Sequence, residues 1–214
     1  MKPFTFLITL TLSFTVSAAS LAVRVIDAPW SAYTTPFAIN NSEQVVGTTG
    51  VNDGFLYSGG VHSAFQRPGA IGGVFVWGTT PTGITDSGLV FGTSTMEGYQ
   101  NSGFLYANGS FTDISYPGAS GTYLYGASTD GTAVGNFWNG DWHGFLWREG
   151  VFTSFDAPVV YPENTTFQNT SYYSVNTAGL ILGGQAWSIG DEFHSQLFIW
   201  DGINVNYLPE LEVR

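Results

Sequence analysis

Apolar and polar residues follow one another along this chain in short bursts, broken by Asn, Asp, Ser, Thr and Gly. Four segments share one pattern of apolar residue, polar turn, apolar run and glycine: Ile39 to Gly47, Ile84 to Gly92, Ala127 to Gly135 and Val175 to Gly183. Each predicts two strands joined by a tight turn. A second motif follows each one: Gly54-Phe55-Leu56-Tyr57, Gly103-Phe104-Leu105-Tyr106, Gly144-Phe145-Leu146-Trp147 and, more loosely, Leu197-Phe198-Ile199-Trp200. A Gly-bearing turn and a last apolar strand complete each unit: Val61 to Phe65, Ser110 to Ile114, Val151 to Phe155, Ile203 to Tyr207. The pattern thus predicts four short antiparallel strands in each unit of about 45 residues, the size of one propeller blade.

The expected fold is all-β, a β-propeller-like array of about four four-stranded repeats near 37–69, 82–118, 123–158 and 172–208. They form one domain over 23–214. The corner after the last strand also repeats, as Phe155-Asp156-Ala157-Pro158 and Ile26-Asp27-Ala28-Pro29, with looser forms at Arg67-Pro68-Gly69 and Tyr116-Pro117-Gly118. Proline there ends a strand where no ladder partner waits. The match at 23–29 reads as a fourth strand without its first three. The expectation is that it completes the sheet of another repeat, closes the ring and removes open edges. The rival is an open, solenoid-like stack with capped ends.

His143-Gly144-Phe145-Leu146-Trp147 with Gly150, and Ala38-Ile39-Asn40 with Val45-Val46-Gly47, resemble the HAF repeat of probable extracellular bacterial proteins. The resemblance spans roughly Val23 to Leu208. Gly144 stands where that repeat has Ala, and Asp53 and Ser102 replace the His in other units, while His194 sits two places early. The resemblance implies export and a repetitive all-β, propeller-like shape, and it brings no catalytic residues.

The first 22 residues differ from the rest. Lys2 precedes an apolar run from Phe4 to Val16, then small residues to Ala22. That is the build of a secretory signal peptide, with cleavage expected near 18–22. The run is short for a spanning helix, which needs about 20 apolar residues, and no later stretch reads as a membrane span. The expected location is extracellular or periplasmic.

Composition narrows the function. Charged residues are only 10% and aromatics 16%, with 28 glycines and no cysteine. The absence of cysteine excludes disulfides, thiolate metal sites and cysteine nucleophiles. Five Lys and Arg against 16 acids, a formal charge of −11, disfavour binding to nucleic acid. No P-loop, G-x-S-x-G elbow or H-E-x-x-H motif occurs, and no cofactor is expected. His143 and His194 make a two-His metal site conceivable between adjacent units, although a hydrogen bond from His143 to a neighbouring blade's backbone is the plainer reading.

Three functions compete. The first is an exported non-enzymatic protein with a binding or structural role toward an extracellular partner, glycan or protein. The second is a carbohydrate-binding protein using Trp138, Asp141, Trp142, His143 and Trp187, because aromatic faces beside carboxylates suit stacking and hydrogen bonding to sugars. The third is a glycoside hydrolase pairing Asp141 with Asp191 or Glu192 across a cleft. The loop Trp138-Asn139-Gly140-Asp141-Trp142 and His143 do not recur in the other units, so a private function is expected there.

Overall fold

A computed structural model describes residues 24–50, 53–72, 78–154, 156 and 163–209. The expected leader at 1–22, Val23, and residues Phe155, Ala157 and Pro158 of one corner lie outside these. The described chain is almost wholly strand. β1 (Thr34–Ile39), β2 (Val45–Thr49), β3 (Asp53–Ser58) and β4 (Val61–Phe65) make the first sheet. β5 (Thr79–Ile84), β6 (Val90–Thr95), β7 (Asn101–Ala107) and β8 (Ser110–Ile114) make the second. β9 (Gly121–Ala127), β10 (Ala133–Trp138), β11 (Trp142–Arg148) and β12 (Val151–Ser154) make the third. β13 (Thr165–Val175), β14 (Ile181–Ile189), β15 (Glu192–Trp200) and β16 (Val205–Tyr207) make the fourth. Each is an antiparallel meander in which chain order equals spatial order. Four four-stranded antiparallel sheets are present, and each first strand begins a little before the boundary read from sequence.

One local device explains the recurrent glycine. Every first strand carries a β-bulge, at Phe37, Thr82, Tyr125 and Tyr173. The bulge kinks the strand over its neighbour. A Cβ on Gly47, Gly92 or Gly135 would lie 2.0, 2.1 or 1.9 Å from the carbonyl oxygen of Thr35, Thr80 or Tyr123. Opposite each glycine on the third strand stands a phenylalanine: Phe55, Phe104, Phe145 and Phe198. All four rings are fully buried. The glycine makes room for both the kinked strand and the ring.

The first two strands of each sheet are joined by one turn type. Its 4→1 hydrogen bonds run from Glu43 N to Asn40 O, Gly88 N to Thr85 O, Gly131 N to Ser128 O and Gly179 N to Asn176 O. The donor residue has positive φ, which Gly tolerates and Glu43 adopts at 57°.

Consecutive sheets stack face to face. Val46 and Phe65 of the first pack on Val90 and Phe104 of the second. Phe91, Leu105 and Ile114 pack on Leu124, Ala133 and Phe145 of the third. Val134 packs on Tyr172, Ile181 and Phe198 of the fourth. Polar bonds cross the same junctions. The Leu124 N–H donates to Thr93 Oγ1 at 3.1 Å, and the Tyr172 N–H to Asn136 Oδ1 at 3.1 Å. Thr93 and Asn136 hold one repeat position; Leu124 and Tyr172 hold another. At the first junction Pro81 takes the latter place and has no N–H to satisfy.

No comparable packing joins the first sheet to the fourth among the described strands. The N-terminal segment also departs from expectation. Residues 24–28 form no strand, and Ile26 packs on Val45, Phe55 and Tyr57 of the first sheet. The Ala28 N–H donates to Thr34 Oγ1 at 3.1 Å, as Arg67 N does to Thr79 and Tyr116 N to Thr122. The segment therefore caps its own sheet instead of completing another. The fourth sheet leaves no vacancy for it, because β16 already fills the outer place.

Candidate functional site

The rim where β9, β10 and β11 end gathers most of the sequence-nominated residues. Trp138 closes β10 and Trp142 opens β11, and the two are cross-strand partners around Asn139, Gly140 and Asp141. Their rings meet edge to face with centroids 5.2 Å apart. Tyr123 of β9 meets Trp142 edge-on at 5.3 Å. Its hydroxyl accepts a 2.6 Å hydrogen bond from Asn101 Nδ2 of the second sheet, which fixes the ring. Tyr123, Trp138 and Trp142 thereby border an open shelf of about 290 Å³ beside Ser120 and Gly121.

A small cleft of about 60 Å³ also has Trp142 in its wall. Asp141, His143 and Asp156 line it from the third sheet, and Gln168, Asn169 and Thr170 from β13. His143 Nδ1 stands 2.8 Å from Asp156 Oδ2, and its ring stacks on Phe137 with centroids 5.1 Å apart. The expected bond from His143 to a neighbouring blade's backbone is replaced by this one, within its own sheet's corner. Ser102 and Ser115 hold the equivalent places in the second sheet, their hydroxyl oxygens 2.5 Å apart. The His–Asp pair is thus the third sheet's form of a latch between third strand and corner. It also turns a carboxylate toward the cleft.

Trp187 sits elsewhere. It lies on β14, across from Gln168 and His194, and stacks on the His194 ring with centroids 5.4 Å apart. It lines neither shelf nor cleft. Asp191 lies in the β14–β15 turn and Glu192 opens β15, 3.8 Å from His194 Nε2. The carboxylate that shares a cleft with Asp141 is Asp156 instead. His143 and His194 occupy different surroundings, and no group of three metal-ligating side chains occurs among the described residues.

Sequence reasoning missed Tyr123, Asp156, Gln168 and Asn169. Asp156 reads as a turn former before proline. Aligning His143 with Ser102 and Asp156 with Ser115 pairs them, because both pairs join the same two repeat positions. Gln168 and Asn169 come from a first strand longer than its counterparts, for which the repeat offers no guide.

Chemically, the rim offers ring faces beside carboxylate and amide oxygens, with no Lys or Arg lining either space. Such a surface accepts hydrogen bonds from hydroxyls and stacks on the C–H faces of a ligand.

No family model matches the chain, and no curated protein matches it. Among solved structures it is similar to a fucose lectin from Kordia zhangzhouensis in complex with methyl-fucoside, at 12% identity and a TM-score of 0.35, covering 60% of this chain and 96% of that one. No helix among the described residues is long and apolar enough to cross a membrane.

Proposed function

We propose that this is an exported, non-enzymatic, β-propeller-like repeat protein of the HAF-repeat kind that binds carbohydrate at the rim of its third sheet. One observation carries the ligand class: Trp142 is the shared wall of an aromatic shelf and a polar cleft. A sugar ring lies on the shelf against Trp142 and Trp138, and one hydroxyl or hydroxymethyl group reaches Asp141 or Asn169. The cleft is far below the roughly 300–1,000 Å³ of pockets that enclose small molecules, so recognition is of one exposed sugar face. Export rests on the leader-like first 22 residues and the repeat resemblance.

A glycan array with the purified protein, followed by calorimetry on the best hit, tests this reading. Trp142→Ala is expected to weaken binding at least tenfold, roughly the loss of one stacked ring, with an unchanged circular dichroism spectrum. Absence of any glycan hit with the unmutated protein would sink the reading, and so would a hit that Trp142→Ala leaves untouched. N-terminal sequencing of protein recovered outside the cytoplasm is expected to begin near residues 19–23.

A further inference from the structure

The two ends of the stack present faces that every internal junction buries. At each junction the inner strands of one sheet cover the first strand of the next. Pro81, Leu124 and Tyr172 hold one position on β5, β9 and β13, and all three are buried. Their counterpart on β1 is Pro36, which is exposed, as are Thr35, Phe37 and Ile39. The opposite end mirrors this. Val46, Phe91 and Val134 are buried on the outgoing face of sheets one to three, at 0%, 8% and 0% exposure. Leu182, their counterpart on β14, is 37% exposed, and Leu197 beside it is 47% exposed.

We propose that a second copy of this chain occupies these faces. The fourth sheet of each copy packs on β1 of the other, closing a two-chain ring of eight sheets. Eight lies within the usual range of blade numbers, and head-to-tail contacts close when their rotation allows.

Three features fit that docking. Thr93 and Asn136 cap a backbone N–H on the next sheet. At the chain's end their counterpart is Gly184, which has no side chain to offer, and the position it would face is Pro36, which has no N–H to cap. Bulk is exchanged in the same way. Gly144 lies against Tyr172 at the third junction, whereas the outer pair is Leu197 with Pro36. The third feature is the turn. Asn40 Oδ1 accepts from Ser42 N and Gln44 N, leaving Nδ2 to donate across the junction to Thr85 O at 2.9 Å. Asn176 builds the same turn, with Oδ1 accepting from Ala178 N and Leu180 N. Its Nδ2 has no protein acceptor among the described residues. On the docked copy the equivalent acceptor is Asn40 O. One place is claimed twice: Ile26 holds on the first sheet the position that Leu208, beyond the short β16, holds by equivalence. Ile26 keeps it in the docked pair, and half-buried Leu208 moves aside.

Light scattering coupled to size exclusion is expected to give twice the single-chain mass for the exported protein. Leu182→Asp is expected to give one chain's mass with an unchanged circular dichroism spectrum. A covalent test does not depend on that variant folding. Asn41 and Asp86 occupy one repeat position and touch across the first junction; Asn41 and Thr177 are the corresponding pair across the outer one. The chain has no cysteine. Oxidised Asn41→Cys/Thr177→Cys protein is therefore expected to run as a two-chain species on a non-reducing gel. A single-chain band overturns the proposal, as does a single-chain mass for the unmutated protein. A ladder of higher multiples overturns the closed ring.

Discussion

A few backbone positions set the cost of change. Gly135→Ala places a methyl carbon 1.9 Å from the Tyr123 carbonyl oxygen. The bulged strand must move, and urea unfolding is expected to show a loss of about 3 kcal/mol, the upper part of the usual overpacking range. The reverse change is available at Glu43, whose φ of 57° lies where the equivalent turns carry glycine. Glu43→Gly is expected to stabilise by about 1 kcal/mol in the same measurement, because its 3.6 Å contact with Arg24 is exposed and weak. Two turn carboxylates respond to pH. The Ser128 hydroxyl, then the Thr132 N–H, hold Asp130 below the ordinary carboxylate value of 3.8. Bonds from the Asn204 N–H, the Asn204 side chain and the Ile203 N–H do the same for Asp201. Both pKa values are lower in the folded chain than in the unfolded one. Their stabilisation is therefore complete above about pH 3.8 and is lost as pH falls through the lowered values. Melting temperature measured from neutral to acid pH is expected to fall less steeply below that point in Asp130→Asn/Asp201→Asn than in the unmutated protein.

Between sheets the repeat is kept in geometry and varied in chemistry. Arg67 fills the first junction. It is 3% exposed, donates to Ser102 O and Oγ, and meets Asp113 Oδ1 at 2.7 Å. Tyr116, at the same repeat position, fills the second by stacking on Phe137 with centroids 3.6 Å apart. Arg67→Ala removes buried packing and three bonds, while Asp113→Ala removes an acceptor that is itself 70% exposed. Arg67→Ala is thus expected to cost about 3 kcal/mol and Asp113→Ala about 1 kcal/mol by chemical denaturation. The same variation explains what the sequence conceals. Strand count, turns and the Gly–Phe pairing repeat, so alignment exposes them. The bulge residues Phe37, Thr82, Tyr125 and Tyr173 carry no fixed residue type or glycine mark, and Arg67 and Tyr116 share no chemistry. Trp138, Asp141, Trp142 and His143 stood out because they do not recur, and they do meet at one rim. Trp187 sits at the matching place of the last unit in sequence, yet in the longer β14 it pairs with His194 and lines neither space.

At the scale of the molecule, charge and stacking govern behaviour. With a sequence pI near 4.2 and a formal charge of −11, net charge opposes non-specific aggregation of an aromatic-rich surface at neutral pH. Turbidity is expected to peak near pH 4 and to clear on return to neutrality. The chain's ends follow from the stacking. A match to the fourth-strand corner made 23–29 look like a closing strand, and the likeness is real: Ala28 meets Thr34 as Arg67 meets Thr79. What repeats is the corner's attachment to the sheet that follows it, which carries no information about a sheet that precedes it.

The contact of Asn40 and Asn41 with Thr85 and Asp86, each joining residues 45 apart, has a genetic consequence. At that junction like positions of successive units meet, and every junction sets inner strands against the first strand of the next sheet. An in-frame duplication of one unit inserts a sheet that keeps the strand geometry of its neighbours while its new junction must be rematched in side-chain chemistry, and unequal recombination within such a gene would change array length in a single step.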